Sequence, residues 1–122
     1  MAVQKQNLDL TSSLTIIRDT DSDATSEDNV NSGAAVLYLL SVNNSANSGT
    51  RVHLKMYDAT SATIGTTAPD MIIGVPGGAT VTMSVPEGLS FATGLSYATV
   101  TEAGTAGTTS PTGNVSVVLV VS

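Results

Sequence analysis

The closing stretch, Asn114 to Ser122, reads NVSVVLVVS and constrains the fold more than any other part of the chain. Side chains alternate across an extended backbone, so Val115, Val117, Leu119 and Val121 share one face and Ser116, Val118 and Val120 the other. The unbroken apolar run from Val117 to Val121, rich in β-branched residues, would template aggregation if its edge were bare. The segment is therefore expected in the middle of a sheet or beneath another subunit.

The same period of two recurs upstream. In RVHLKMY, Val52, Leu54 and Met56 point inward, and Arg51, His53 and Lys55 form a cationic outer face. Val81, Met83 and Val85 alternate with Thr80, Thr82 and Ser84 in the same way. Ala34 to Val42 is a nearly continuous apolar run between Gly33 and the loop NNSANSG, which fits a strand buried on both faces. Leu14, Ile16 and Ile17 make a short strand that ends at Arg18, and another runs from Gly94 to Thr101.

Between these strands lie the punctuating residues. Pro76, Gly77 and Gly78 predict a hairpin turn joining Met71–Val75 to Thr80–Val85. Pro86 and Gly88 are expected to break the sheet, and Glu102 to Gly113 to form a flexible hairpin loop. With about seven strands and no helical period, the pattern predicts an all-β fold. The expected architecture is one β-sandwich of jelly-roll or Greek-key type with long polar loops. Residues 1–10 read as an extended N-terminal arm and residues 11–122 as a single domain.

Only 11% of the residues are charged although 41% are hydrophobic, so the surface is built largely from Ser, Thr, Gly, Asn and Ala. Such a surface suits packing against other proteins. The net charge of −6 opposes a polyanionic backbone, which argues against nucleic acid as a partner. Without cysteine there is no disulfide framework and no thiol chemistry. No apolar run approaches the roughly 20 residues that span a bilayer, and MAVQKQNLDLTSS has no signal-peptide core. The expectation is a non-membrane, non-secreted product assembled in a cytoplasm.

Asp19, Asp21 and Asp23 resemble the opening of a calcium loop, but Ala24 stands where that loop needs glycine and Val30 where it needs glutamate. The acidic stretch from Asp19 to Gly33 is expected to be an exposed, solvated loop. His53 is the single histidine, and no Ser, Asp or second His stands at a catalytic spacing from it. The glycine-rich pieces GVPGG and AGTAG lack a following lysine or an opening helix. No catalytic, metal or cofactor residues are assigned, and the reading is that of a non-enzyme.

The candidate sites are contacts with other chains. Val3, Leu8 and Leu10 are the apolar anchors of the arm. Arg51, His53 and Lys55 offer a cationic face for an acidic segment of a neighbouring copy, the 19–28 stretch being the candidate. Met71, Ile72 and Ile73, with Val118 and Val120, supply more apolar surface than one sandwich core needs, so a homo-oligomer is expected.

Val52 to Pro111 resembles a small structural protein of tailed bacteriophages. The residues that carry the likeness are Lys55, Tyr57 and Asp58, then Thr66 to Pro69, Pro76 to Gly78, and Glu87 to Ala98. The resemblance implies a virion component similar to capsid decoration (cement) proteins. Such proteins act as trimers that bind the major capsid protein on the capsid surface and hold the shell together. A tail, neck or fibre subunit would share this composition, and a glycan-binding module could use the same sandwich.

Overall fold

The computed structural model describes residues 3–7 and 14–122, and among them the only regular elements are eight strands. These are β1 (Val3–Asn7), β2 (Thr15–Ser22), β3 (Ala35–Asn43), β4 (Val52–Asp58), β5 (Met71–Val75), β6 (Thr80–Phe91), β7 (Leu95–Val100) and β8 (Val115–Val121). They form two antiparallel sheets, one ordered β1-β2-β8-β3-β6 and the other β5-β4-β7. The all-β, two-sheet fold expected from the period of two is what forms.

β8 lies between β2 and β3, at the centre of the larger sheet. That position solves its edge problem, because hydrogen bonds on both sides leave no bare backbone. Val115, Val117, Leu119 and Val121 are buried against Ile17, Leu40 and Val42 from their own sheet and Val52, Leu54 and Met56 from the opposite one. Burial on this scale, about 25 cal/mol per Å² of apolar surface, is the main stabilising term.

The chain changes sheets at points where the sequence suggests hairpins. β5 and β6 belong to different sheets, so Pro76-Gly77-Gly78 is a corner between layers and not a hairpin turn. A Cβ on Gly77 would stand 2.5 Å from the Thr50 amide nitrogen, which is why the corner packs so closely on the 44–50 loop. The Asn44 side-chain amide donates to the carbonyls of Thr50 and Pro76, and Asn47 donates to Asn44 and to the Gly113 carbonyl. Thus NNSANSG is a buried polar hub that ties three loops at one end of the molecule. The 101–113 segment likewise crosses from β7 to β8 between sheets, so it is not a hairpin loop either.

β6 continues through Pro86 and Gly88 instead of breaking there. It is an edge strand, where a missing N–H costs no ladder bond. Its pairing jumps from Leu39↔Ser84 to Leu37↔Leu89, so residues 85–88 bulge out. Gly88 sits in that bulge at φ 83°, against Val36 and Tyr38.

Within the expected arm, Val3–Asn7 is extended and paired antiparallel with β2 in the register Val3↔Asp19 to Asn7↔Thr15. Val3 packs against the core. Leu8 and Leu10 lie outside the described residues.

Candidate functional site

The acidic stretch is not a solvated loop. β2 runs on to Ser22, past the expected stop at Arg18, because Asp19 turns inward and finds partners. The Tyr97 hydroxyl donates to Asp19 Oδ2 at 2.9 Å, and the Asp21 amide donates to Oδ1 at 3.1 Å. Burial holds the Asp19 carboxyl above its ordinary value, and these two hydrogen bonds oppose that shift. Beyond Ser22 the backbone runs along the outer edge of β7: Glu27 and Tyr97 exchange two hydrogen bonds, the Val30 amide donates to Leu95, and the Thr99 amide donates to Asp23. The β7 edge is thereby closed within the chain.

The acidic groups do not converge on one centre. Asp19 faces Tyr97, Asp23 accepts from the Thr25 amide at 2.9 Å, and the Asp28 carboxylate accepts from Ala62. Among the described residues no three His, Cys, Asp or Glu side chains stand together as metal ligands.

The expected cationic face divides into three environments. Arg51 is exposed, His53 is half-buried, and Lys55 is fully buried. All three lie on the outer side of β4, as alternation requires, but the 101–113 loop folds back over that side and covers Lys55. Lys55 Nζ donates to the Gly104 carbonyl. Burial lowers the Lys55 ammonium's affinity for its proton, with Glu102 opposing. The loop is braced by Glu102, whose carboxylate accepts from the Thr101 hydroxyl at 2.6 Å and the Thr109 amide at 2.9 Å. Those donors hold its pKa down at about 2.

His53 sits beside this clasp with Nδ1 buried and without a hydrogen-bond partner. Desolvation lowers its pKa first; Arg51 and Lys55 lower it further, against the Thr101 backbone and Glu102. The site therefore favours the neutral imidazole over the charged one. An acidic segment from a neighbour can reach Arg51 here, but not Lys55.

The remaining candidates lie on two other surfaces. Val118 and Val120 are half-buried on the outer face of the larger sheet, where Val120 is flanked by Ile16 on β2 and Leu39 on β3. Met71, Ile72 and Ile73 form most of β5, an edge strand, and Ile72 is 41% exposed. Beside β5 a cavity of about 260 Å³ is lined by Asp58, Asp70, Met71, Leu89, Ser90 and Phe91. Its carboxylates are already engaged: Asp58 Oδ1 accepts from the Thr93 amide at 2.8 Å, and Asp70 Oδ2 accepts from the Asp58 amide at 2.6 Å. The first of these bonds is the main reason the Asp58 pKa is lowered.

No protein-family model, no curated protein and no solved structure matches this chain.

Proposed function

We propose that this chain is a non-enzymatic structural subunit of a tailed-bacteriophage virion, a capsid decoration (cement) protein that binds the major capsid protein on the capsid surface. One observation carries the reading beyond the resemblance itself: the polar residues that open the phage-like pattern, Lys55, Tyr57 and Asp58, are spent on the scaffold. Lys55 is bound to the Gly104 carbonyl, Tyr57 is buried, and Asp58 clamps Thr93 in the segment that leads into β7. A pattern in which Lys55 and Asp58 hold loops in place suits a subunit that works by its shape and outer surface.

The mechanism is mechanical. A rigid two-sheet body that contacts neighbouring capsid proteins adds buried area across their boundary, and anything that binds only the assembled shell stabilises it by mass action. The outer residues available for this are mostly uncharged hydroxyls and small apolar groups, as in β6, where Thr80, Thr82 and Ser84 are exposed.

The glycan-binding reading loses support because sugar sites use exposed aromatic platforms. Phe91, Tyr57 and Tyr97 are all buried, and Tyr38 is only half-exposed.

The deciding experiment is quantitation of this chain relative to the major capsid protein in purified parent particles, followed by imaging. A copy number comparable to the capsid protein's, with density on the shell, is the expected result. A small copy number with density at the tail, neck or fibres would replace this reading by that of a tail, neck or fibre subunit.

A further inference from the structure

Every open sheet edge offers unpaired backbone N–H and C=O groups to another chain, and proteins that stay monomeric blunt such edges with charge, proline or cover. Among the described residues the two sheets present four edges, and they are treated differently. The β7 edge is closed by the 23–30 backbone. The β1 edge carries the exposed side chains of Gln4, Lys5 and Gln6, so a cation guards it.

β6 is guarded by Pro86, Glu87 and its bulge only beyond Val85, and β5 only by Arg51, so the Thr80–Val85 part of the β6 edge has no such guard. Met71 of β5 and Leu89 to Phe91 of β6 line one cavity, so the two edge strands lie on the same side, joined by the corner at Pro76 to Gly78, and from Met71 to Val85 the sequence has no charged residue. The core is also thinnest here: Met71, Ile73, Val81, Met83 and Leu89 pack against it while only partly buried, and all five belong to these strands. The acidic segment that carries much of the −6 charge lies beside β7, toward the far side. Two copies can therefore approach through the β5/β6 side with little mutual repulsion.

Between the two edges, β6 is the better fit for self-pairing. The Arg51 guanidinium lies against Gly74 of β5, where a Cβ would stand 2.9 Å from Nη1, so two β5 edges brought together would confront two cations. In β6, Thr80 to Val85 is self-complementary when reversed. With Thr82 opposite Thr82 of a second copy, Thr80 meets Ser84 on the outer face and Val81 meets Met83 on the core face. Hydroxyl pairs of this kind already occur at this edge: Ser41 Oγ and Thr82 Oγ1 are 3.1 Å apart across β3 and β6. Opposed hydroxyl pairs and apolar pairs both favour antiparallel pairing.

We propose that the Thr80–Val85 edge of β6 pairs antiparallel, about a two-fold axis at Thr82, with the same edge of a second copy of this chain. The five-stranded sheet then continues across the dimer, and the half-exposed Val81 and Met83 of both copies are covered. The inference goes beyond the virion reading and does not depend on it, because the purified chain alone tests it.

The test is sedimentation of the purified full chain at micromolar concentrations, beside Thr82→Lys and Ser84→Lys and a control lysine at the exposed loop residue Thr105. Thr82→Lys sets two like charges opposite each other at the axis, in an exposed position that the monomer's core does not use. The wild type and Thr105→Lys are expected to be dimers, while Thr82→Lys weakens the dimer by at least about tenfold, or 1.4 kcal/mol. Amide exchange should show protection of the outward-facing amides of Thr80–Val85 that disappears in Thr82→Lys, while the β6 amides bonded to β3 and the β8 amides stay protected. Ser84→Lys supplies the same reading should Thr82→Lys fail to fold. A wild-type monomer, the trimer that the phage resemblance implies, or a dimer that both lysine variants leave intact would each overturn the proposal.

Discussion

Tyr97 and Asp19 join the two sheets through the interior, with the phenol hydroxyl of β7 donating to a β2 carboxylate at 2.9 Å. Both side chains are buried, and the carboxylate raises the tyrosine pKa above its ordinary value, adding to the larger effect of desolvation. Tyr97→Phe keeps the ring and removes the donor, leaving a buried charge short of a partner. The expected loss is about 1.5–3 kcal/mol, the range for hydrogen bonds to charged groups. Urea denaturation measures it, and a change below about 0.5 kcal/mol would mean that the pair contributes nothing to stability.

The same pair sets a pH dependence. The folded-state pKa of Asp19 is raised, so its contribution is fully present below the unfolded value of 3.8 and is lost as pH rises through the folded value. Asp19→Asn cannot ionise and should flatten that part of the stability–pH curve. Denaturation midpoints of the variant that still fall across this window would assign the dependence to another group.

Glu102 works in the opposite direction. Its folded pKa is held at about 2 against an ordinary 4.5, so its bracing of the 101–113 loop is present above 4.5 and lost as pH falls toward 2. Protection of the amides of residues 101–109, measured against their intrinsic exchange rates at each pH, should therefore fall in acid before β8 loses protection. Glu102→Gln should show the faster exchange already at neutral pH. Equal exchange in the two proteins at neutral pH would show that the loop is held by Lys55 and packing alone.

Much of this organisation was legible in the sequence, and the part that was not has a physical cause. β3, β4 and β8 declare themselves because burial of one or both faces imposes a pattern on successive residues. That pattern is local, so it assigns Val52, Leu54 and Met56 to the core but is silent on what covers Lys55. The sheet exchange at Pro76 to Gly78 was invisible for the same reason, since a turn between layers uses the same residues as a hairpin turn. The best missed signal was NNSANSG: three asparagines in so short a stretch supply more side-chain amides than a solvated loop needs, and Asn44 and Asn47 use theirs to tie the corner down. Asp19 was misread because its burial depends on Tyr97, far along the chain.

Gly88 tests the bulge. Its φ of 83° disfavours any side chain, and a Cβ would overlap Val36 Cγ1 and press on Tyr38. Gly88→Ala should cost about 2 kcal/mol or more, strain and overlap together. Gly78→Ala, at φ 78° but in open space, should cost only about 1 kcal/mol. Thermal denaturation of the two variants should rank them in that order, and the reverse order would mean that the bulge relaxes freely.

The N-terminal strand sets a last expectation, because it separates an arm kept for a partner from an element of the fold. The register Val3↔Asp19 to Asn7↔Thr15 pairs it along β2, Arg18 donates to the Gln6 side chain at 3.1 Å, and Val3 packs on the core. Removing residues 1–7 takes away these contacts and the lysine that guards this side, and it bares the β2 edge next to the central β8. The truncated chain should be less stable by about 1–3 kcal/mol, the size typical of losing edge pairing and one partly buried apolar side chain. It should also aggregate faster on warming, with amide protection lost first in β2. An arm that acts only on a partner would leave the melting temperature and β2 protection unchanged, and would show its loss solely as lower occupancy on capsids. Measuring melting temperature, exchange and occupancy on the same truncated protein distinguishes the two.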